Sequence, residues 1–227
     1  MRLLKMKSVV PVMLLTAAAA LFTSSAAYAD IITFTLNSPN ASLSGFPAPY
    51  AEVSIDRTNS TTAVFTVTGD TTGGFTYLLG GTGAFGFNST DTITLSGFSS
   101  LTLSNGGSGT EDGFGTFAYT LNNFDGFTSA LASLSFTATN NSGTWASAAN
   151  VLSLPTGATN LLEGHIFVNN GHCGGTGQDP CVTGFATNGG GGSTGGGGST
   201  IPEPASMLLL GAGALAAAYR ARRRATR

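Results

Sequence analysis

The chain has 227 residues, of which 9% are charged, and its formal net charge is -2. This length accommodates one ordinary domain together with targeting segments. The charge is unevenly distributed, because eleven acids and a single base, Arg57, lie between Asp30 and Glu203, which gives this part about -10. Such an acidic body is repelled by phosphate backbones, so composition and charge exclude nucleic-acid binding.

The first 29 residues have the three parts of a secretory signal peptide. Positive charge comes first, residues 9–22 are mostly apolar, and Ala27 and Ala29 are the small residues that signal peptidase requires. We therefore predict an N-terminal signal helix, residues 1–29, that signal peptidase removes after Ala29. The alternative is an uncleaved membrane anchor, which the short apolar run disfavours.

Residues 30–187 are predicted to form an all-β ectodomain. Apolar residues return at every second position in "IITFTL", where Ile32, Phe34 and Leu36 share one side, and again in "TAVFTVTG" and "NVLSLPTG". This period is typical of strands with one wet face and one dry face. Segments such as "SNGGSGTEDG" are rich in turn-forming residues. The expected fold is an antiparallel β-sandwich or a jelly-roll-like domain.

Two pairs of acids are the candidates for acid–base chemistry. Glu52 and Asp56 would lie on one face of a strand, whereas Glu111 and Asp112 would sit in a turn. Glycoside hydrolysis uses two carboxylates, but nothing in the sequence marks either pair as buried. We expect solvated surface acids, assign no catalytic residue, and predict that the protein is not an enzyme.

Other motifs give weaker indications of chemistry. His165 lies in a predicted strand, where a structural role is favoured, and Trp145 is expected to pack in the core rather than stack on a sugar ring. "GTGAFG" at 81–86 and "GGSTG" at 191–195 match a dinucleotide loop and a nucleophile elbow. Neither motif has the strand-to-helix context that those sites need.

Cys173 and Cys181 lie close together in "NGHCGGTGQDPCVTG". In an oxidising compartment we expect them to form a disulfide. The alternative is a metal site that also uses His165 and His172, but the paired spacings of structural zinc sites are missing. We therefore predict neither a metal nor a cofactor.

The composition changes abruptly after residue 187. Residues 188–200 contain no apolar side chain and are predicted to be a flexible Gly/Ser linker. An apolar segment from Ala205 to Tyr219 follows, and a basic cluster comes directly after it: Arg220, Arg222, Arg223 and Arg224. Because arginines after a span favour the inside, we predict a single transmembrane helix with the β-domain facing outward.

"IPEPASMLLLGAGALAAAYRARRR" resembles the PEP-CTERM sorting signal. The resemblance is carried by Pro202, Glu203 and Pro204, by the short hydrophobic helix, and by the terminal arginines, in that order. It implies a Gram-negative exopolysaccharide producer, export by the Sec machinery, and recognition of the Pro-Glu-Pro motif by the membrane enzyme exosortase. It also implies cleavage near the motif, a precursor held transiently in the inner membrane, and transfer to the surface or matrix. Residues 201–227 would be this sorting signal.

These features predict an exported cell-surface or extracellular-matrix protein. Its expected role is structural or adhesive and linked to biofilm or exopolysaccharide, which makes exopolysaccharide a candidate partner. Two alternatives stay open: a carbohydrate-binding module of the cell surface and, less favoured, a secreted hydrolase.

Overall fold

The computed structural model describes residues 30–123, 129–169 and 182–189. Strands dominate these residues, and the helices described are two short 3₁₀ turns, at Ala41–Leu43 and Ala148–Val151. The strands in chain order are β1 Asp30–Leu36, β2 Ser38–Pro39, β3 Ala51–Arg57, β4 Thr62–Gly69, β5 Thr71–Thr72, β6 Phe75–Leu79, β7 Gly81–Phe87, β8 Ile93–Ser96, β9 Leu103–Glu111, β10 Gly115–Asn123, β11 Ser133–Asn140, β12 Leu162–Asn169 and β13 Val182–Thr187. The predicted all-β class is confirmed.

The strands form two antiparallel sheets. The first sheet has the order β1-β3-β4-β11-β8, and the second has the order β2-β13-β12-β7-β10-β9. The β5–β6 ribbon joins the second sheet because β6 pairs with β12. Register is unbroken between β4 and β11, whereas the pairing of β10 with β9 shifts between Phe117 and Thr120.

One apolar core lies between the two sheets. The ring centroid of Phe65 on β4 is 4.8 Å from that of Phe87 on β7 and 4.8 Å from that of Phe136 on β11. All three side chains are fully buried. Aromatic pairs at such distances contribute about 0.5–1.5 kcal/mol beyond the burial of their area. Ring contacts across the layers therefore hold the sheets together.

The predicted alternation holds for β1 and β4, but two other segments differ from their predictions. In β1, Ile32, Phe34 and Leu36 are buried and Thr35 is exposed, which confirms the prediction. The turn predicted for "SNGGSGTEDG" is wrong, because most of it belongs to the long strand β9. The strand predicted at "NVLSLPTG" is also wrong, since it contains the end of a 3₁₀ turn and then irregular chain.

Several predictions fall outside the described residues. These are the signal helix with Ala27 and Ala29, the Cys173–Cys181 disulfide, and the tail with its motif, apolar segment and arginines. Within the described ranges, no helix is long and apolar enough to cross a membrane.

Candidate functional site

The predicted acid pairs have different fates in the fold. Glu52 and Asp56 share the outer face of β3, as predicted, with Glu52 exposed and Asp56 half-buried. Asp112 is exposed at the turn after β9. The prediction that Glu111 is a solvated turn acid is wrong, because it is the last residue of β9 and only 7% exposed. Its side chain folds back over the second sheet.

Glu111 has a partner that the sequence analysis did not single out. On β12, Leu162 and Ile166 belong to the core between the sheets. Successive side chains of a strand point to opposite faces, so Glu163 lies on the outer face of the second sheet. Glu163 is nevertheless completely buried. Burial raises its pKa well above the usual 4.5, and the nearby charge of Glu111 raises it further.

Glycines make the space for these two carboxylates. A Cβ built on Gly86 of β7 would lie 2.5 Å from Glu163 Oε1 and 3.2 Å from its Cδ. A Cβ on Gly83 would contact both carboxylate oxygens of Glu111, and one on Gly109 would lie 3.0 Å from Glu111 Oε1. Side chains at these positions would displace the carboxylates, so the glycines form a cradle for the pair.

No protein cation balances the carboxylate pair within the described residues. Neither Oε1 nor Oε2 of Glu163 has a hydrogen-bond partner. Arg57 is the only lysine or arginine among the described residues, and its Nε lies 3.5 Å from Asp30 Oδ2 on the other sheet. Burial also raises the pKa of Glu111. An unpaired, buried carboxylate costs free energy, which makes this pair the most unusual electrostatic feature of the fold.

His165 lies two residues after Glu163 and on the same face of β12. Its ring stacks on Phe185 at 4.3 Å between centroids and contacts Phe167 at 4.7 Å. Its Nδ1 donates a hydrogen bond of 3.1 Å to the Thr82 carbonyl. Burial lowers the pKa of His165, although the bond to Thr82 opposes this shift. The predicted structural role agrees with these contacts.

Asp91, unlike Glu163, accepts hydrogen bonds from neighbouring side chains, among them Trp145. Trp145 is buried in the core, and its Nε1 donates a hydrogen bond of 2.7 Å to Asp91 Oδ2. Asn140 Nδ2 donates another of 3.0 Å to the same oxygen. Core packing of Trp145 is confirmed, and Asp91 supplies the acceptor that the buried indole needs.

The outer face of the first sheet carries an array of neutral hydroxyls. Ser133, Ser135 and Thr139 of β11 pair with Thr68, Thr66 and Thr62 of β4. Thr94 and Ser96 of β8 extend the same array, opposite Thr139 and Thr137. These side chains are exposed or half-buried. Because strands are about 4.8 Å apart and alternate residues about 6.8 Å apart, the hydroxyls form a grid, which Val64 of β4 interrupts opposite Thr137.

A cavity of about 530 Å³ lies elsewhere, beside β10. Its polar lining comes from Asn88, Ser108, Thr116 and Thr156, and the described residues around it include no titratable side chain. The Asn88 amide is occupied, since it bonds to Asn160 O and to the Ala118 N–H. The described lining therefore offers hydroxyl and backbone groups to a neutral ligand.

A family model described as the PEP-CTERM protein-sorting motif matches residues 200–224. No curated protein and no solved structure matches the chain. Fold and motif together define the class, an all-β protein that carries a C-terminal sorting signal. The chain carries a PEP-CTERM sorting motif, and this motif supports exosortase-dependent export by way of a membrane-anchored precursor.

Proposed function

We propose that this protein is a non-enzymatic component of the cell surface or extracellular matrix that adheres to exopolysaccharide. The observation that carries the proposal is the sorting motif at residues 200–224. Sorting delivers the β-domain to the outside of the cell, where exopolysaccharide is the polymer it would meet. The adhesive role is supported by the neutral hydroxyl grid on the first sheet.

The proposed precursor has four parts. Residues 1–29 are the signal peptide, 30–187 a β-sandwich ectodomain, 188–200 a Gly/Ser linker, and 201–227 the sorting signal with its single transmembrane helix. Two facing sheets with one core support the sandwich, and β13, the last described strand, ends at Thr187. Exosortase would recognise Pro202, Glu203 and Pro204, so these residues act as substrate.

The hydroxyl grid suits a hydrated, uncharged polymer. Serine and threonine hydroxyls both donate and accept hydrogen bonds, as sugar hydroxyls do. Charge on this face is low. The strands β4, β8 and β11 present no charged side chain there, and the acids on the face are Glu52 and Asp56 of β3. A weak contact repeated along the grid would bind a repeating polymer through many small contributions.

The first experiment tests sorting through the mass of the mature protein from native cells. We expect an N-terminus at Asp30, a C-terminus near Pro202 to Pro204, and the mass of two hydrogens gained on reduction. Glu203→Ala is expected to leave the tail uncut, whereas the matched change Glu52→Ala in the exposed acid of β3 should not. A wild-type chain that still ends at Arg227 would contradict exosortase sorting.

The second experiment tests adhesion through the hydroxyl grid. Thr66→Val combined with Thr139→Val keeps the branched shape of each side chain and removes two hydroxyls. We expect binding to exopolysaccharide from the producing strain to weaken roughly tenfold, since each lost hydrogen bond contributes about 0.5–1.5 kcal/mol. The control is Thr82→Val, an exposed threonine on the second sheet. Equal binding by all three proteins would contradict adhesion through this face.

A carbohydrate-binding module with a discrete sugar site is the second candidate function. The cavity beside β10, with its neutral polar lining, is the observation that favours it. Thr156→Arg would fill this cavity and abolish binding of a defined oligosaccharide, whereas Thr35→Arg on the exposed side of β1 would not. If no oligosaccharide on a glycan array binds the folded wild-type protein, this candidate fails.

A further inference from the structure

We propose that Glu111 and Glu163 bind a calcium ion on the outer face of the second sheet. This site goes beyond the proposed function and does not depend on it. It also differs from the Cys/His site considered from the sequence, because its ligands are oxygens on β9 and β12.

The charge balance of the site requires a positive partner. Two ionised carboxylates that are nearly out of contact with water repel each other. Keeping both ionised costs free energy unless a cation binds between them, and otherwise one of them must hold a proton. The described chain offers no lysine or arginine to this face, since its single arginine pairs with Asp30 on the other sheet. His165 shares the face, but its ring is held between Phe167 and Phe185 and bonds to the Thr82 carbonyl.

The lack of hydrogen-bond partners at the Glu163 carboxylate points to a bound ligand. Its side chain is completely buried, yet both carboxylate oxygens lack a hydrogen-bond partner. Buried polar groups in folded proteins are normally paired, so such an orphan calls for an explanation. A bound cation would coordinate both oxygens and remove the cost of burying them.

The carboxylate oxygens of this site favour calcium over zinc, because structural zinc sites bind mainly through Cys and His. Among the described residues, the pair belongs to no group of three or more His, Cys, Asp or Glu suited to a metal, so neutral oxygens and water would complete the coordination. Calcium binds carboxylates, neutral oxygens and water together, with 6–8 ligands. Thr120 Oγ1 is a neutral oxygen near Glu111, because a Cβ on Gly109 would lie 3.3 Å from it and 3.0 Å from Glu111 Oε1. This hydroxyl donates its proton to the Gly107 carbonyl at 3.1 Å, so its lone pairs face away from that bond.

The glycine cradle lets both carboxylates lie against the sheet. At Gly83, Gly86 and Gly109, the space that a Cβ would fill is taken by carboxylate oxygens of Glu111 or Glu163. Glu111 retains 7% exposure, so the pair connects to solvent on the β9 side. Because affinity for calcium depends on the number of charged ligands, a site with two carboxylates is expected in the weak range of extracellular modules, with a dissociation constant of about 10⁻⁴ to 10⁻³ M.

The test is a calcium titration of the full-length chain purified from the cell envelope in detergent. In the presence of 10 mM CaCl₂, compared with EGTA, we expect the melting temperature to rise by roughly 3 to 10 °C. Calorimetric titration with CaCl₂ should give one site. Magnesium chloride should have a smaller effect, because Mg²⁺ requires a stricter octahedral geometry.

Two neutral variants keep the test decisive. Glu163→Gln and Glu111→Gln preserve side-chain size, and both should lose the calcium response while remaining folded in EGTA. Glu52→Gln makes the same charge change at an exposed site and should respond like the wild type. The proposal is overturned if wild type gains no stability from calcium, or if Glu163→Gln gains as much as wild type does. In the first case the two carboxylates share a proton instead.

Discussion

Asp91 and Glu163 are both acids enclosed by this fold, but their surroundings are opposite. Asp91 accepts hydrogen bonds from Trp145 Nε1 and Asn140 Nδ2, so its charge supports the packing around it. Glu163 is more deeply buried and receives no hydrogen bond. The comparison teaches that burial of an acid stabilises the fold where donors meet it and costs stability where they are absent. Removing the two charges should therefore have opposite effects.

The largest expected effect is a loss of stability when Asp91 is replaced. Asp91→Ala leaves the buried Trp145 indole N–H without its acceptor and should destabilise the protein by about 1.5–3 kcal/mol. Urea unfolding followed by tryptophan fluorescence measures this directly. Glu52→Ala, in an exposed acid of β3, serves as the control and should change stability by less than about 0.5 kcal/mol. An equal loss of stability in Asp91→Ala and Glu52→Ala would show that the hydrogen bond from Trp145 does not stabilise the fold.

The opposite sign is expected at Glu163. In EGTA at pH 8, Glu163→Gln should stabilise the protein by about 1–2 kcal/mol, because it removes an unpaired charge from a buried site. The folded state raises the pKa of Glu163, so the contribution of this group to stability is fully present below its usual pKa of 4.5 and is lost as the pH rises through the folded pKa. Thermal unfolding across pH should show this fall in wild type and much less of it in the variant. A destabilised Glu163→Gln would show that the ionised carboxylate has a donor after all.

A pair of substitutions at Gly86 and Glu163 tests whether the buried carboxylate requires the glycine beside it. Gly86→Ala places a Cβ 2.5 Å from Glu163 Oε1 and should cost about 1 kcal/mol. Combined with Glu163→Ala, which removes the obstructing carboxylate, the same change should cost little. A double-mutant cycle measured in urea gives this coupling. Equal costs in both backgrounds would show that Gly86 is required for the backbone alone.

The smallest expected effect concerns His165. Because burial lowers its pKa, the unfolded chain takes up the proton first, and stability is lost as the pH falls from 6.5 through the folded pKa. This slope is opposite to that of Glu163, its neighbour on the same face of β12. His165→Gln should flatten the acid side of the profile and leave the alkaline side unchanged. Identical profiles for variant and wild type would assign the acid side to other groups.

The sequence predicts these features unequally, for physical reasons. A regular period of large apolar residues made β1 predictable, and a linear motif needs no fold to be recognised. In contrast, β9 is rich in glycine and serine, so it offers no apolar period. Its pairing with β10 is supplemented by hydroxyls, since Ser108 Oγ donates to the Phe117 carbonyl and Thr120 Oγ1 donates to the Gly107 carbonyl. The sequence did not predict the carboxylate pair because both faces of β12 are almost continuously buried. Such a strand has no alternation of apolar and polar residues from which the face of Glu163 could be assigned.

The pairing between β4 and β11 also has a kinetic consequence. It joins Thr62 to Thr139 and Thr68 to Ser133, and this contact lies at the centre of the first sheet. Sheets built from pairs so distant in the chain fold slowly, commonly in milliseconds to seconds, because a long loop must close first. Slow pairing suits an exported chain, because it leaves time for the chain to cross the membrane before the sheet forms.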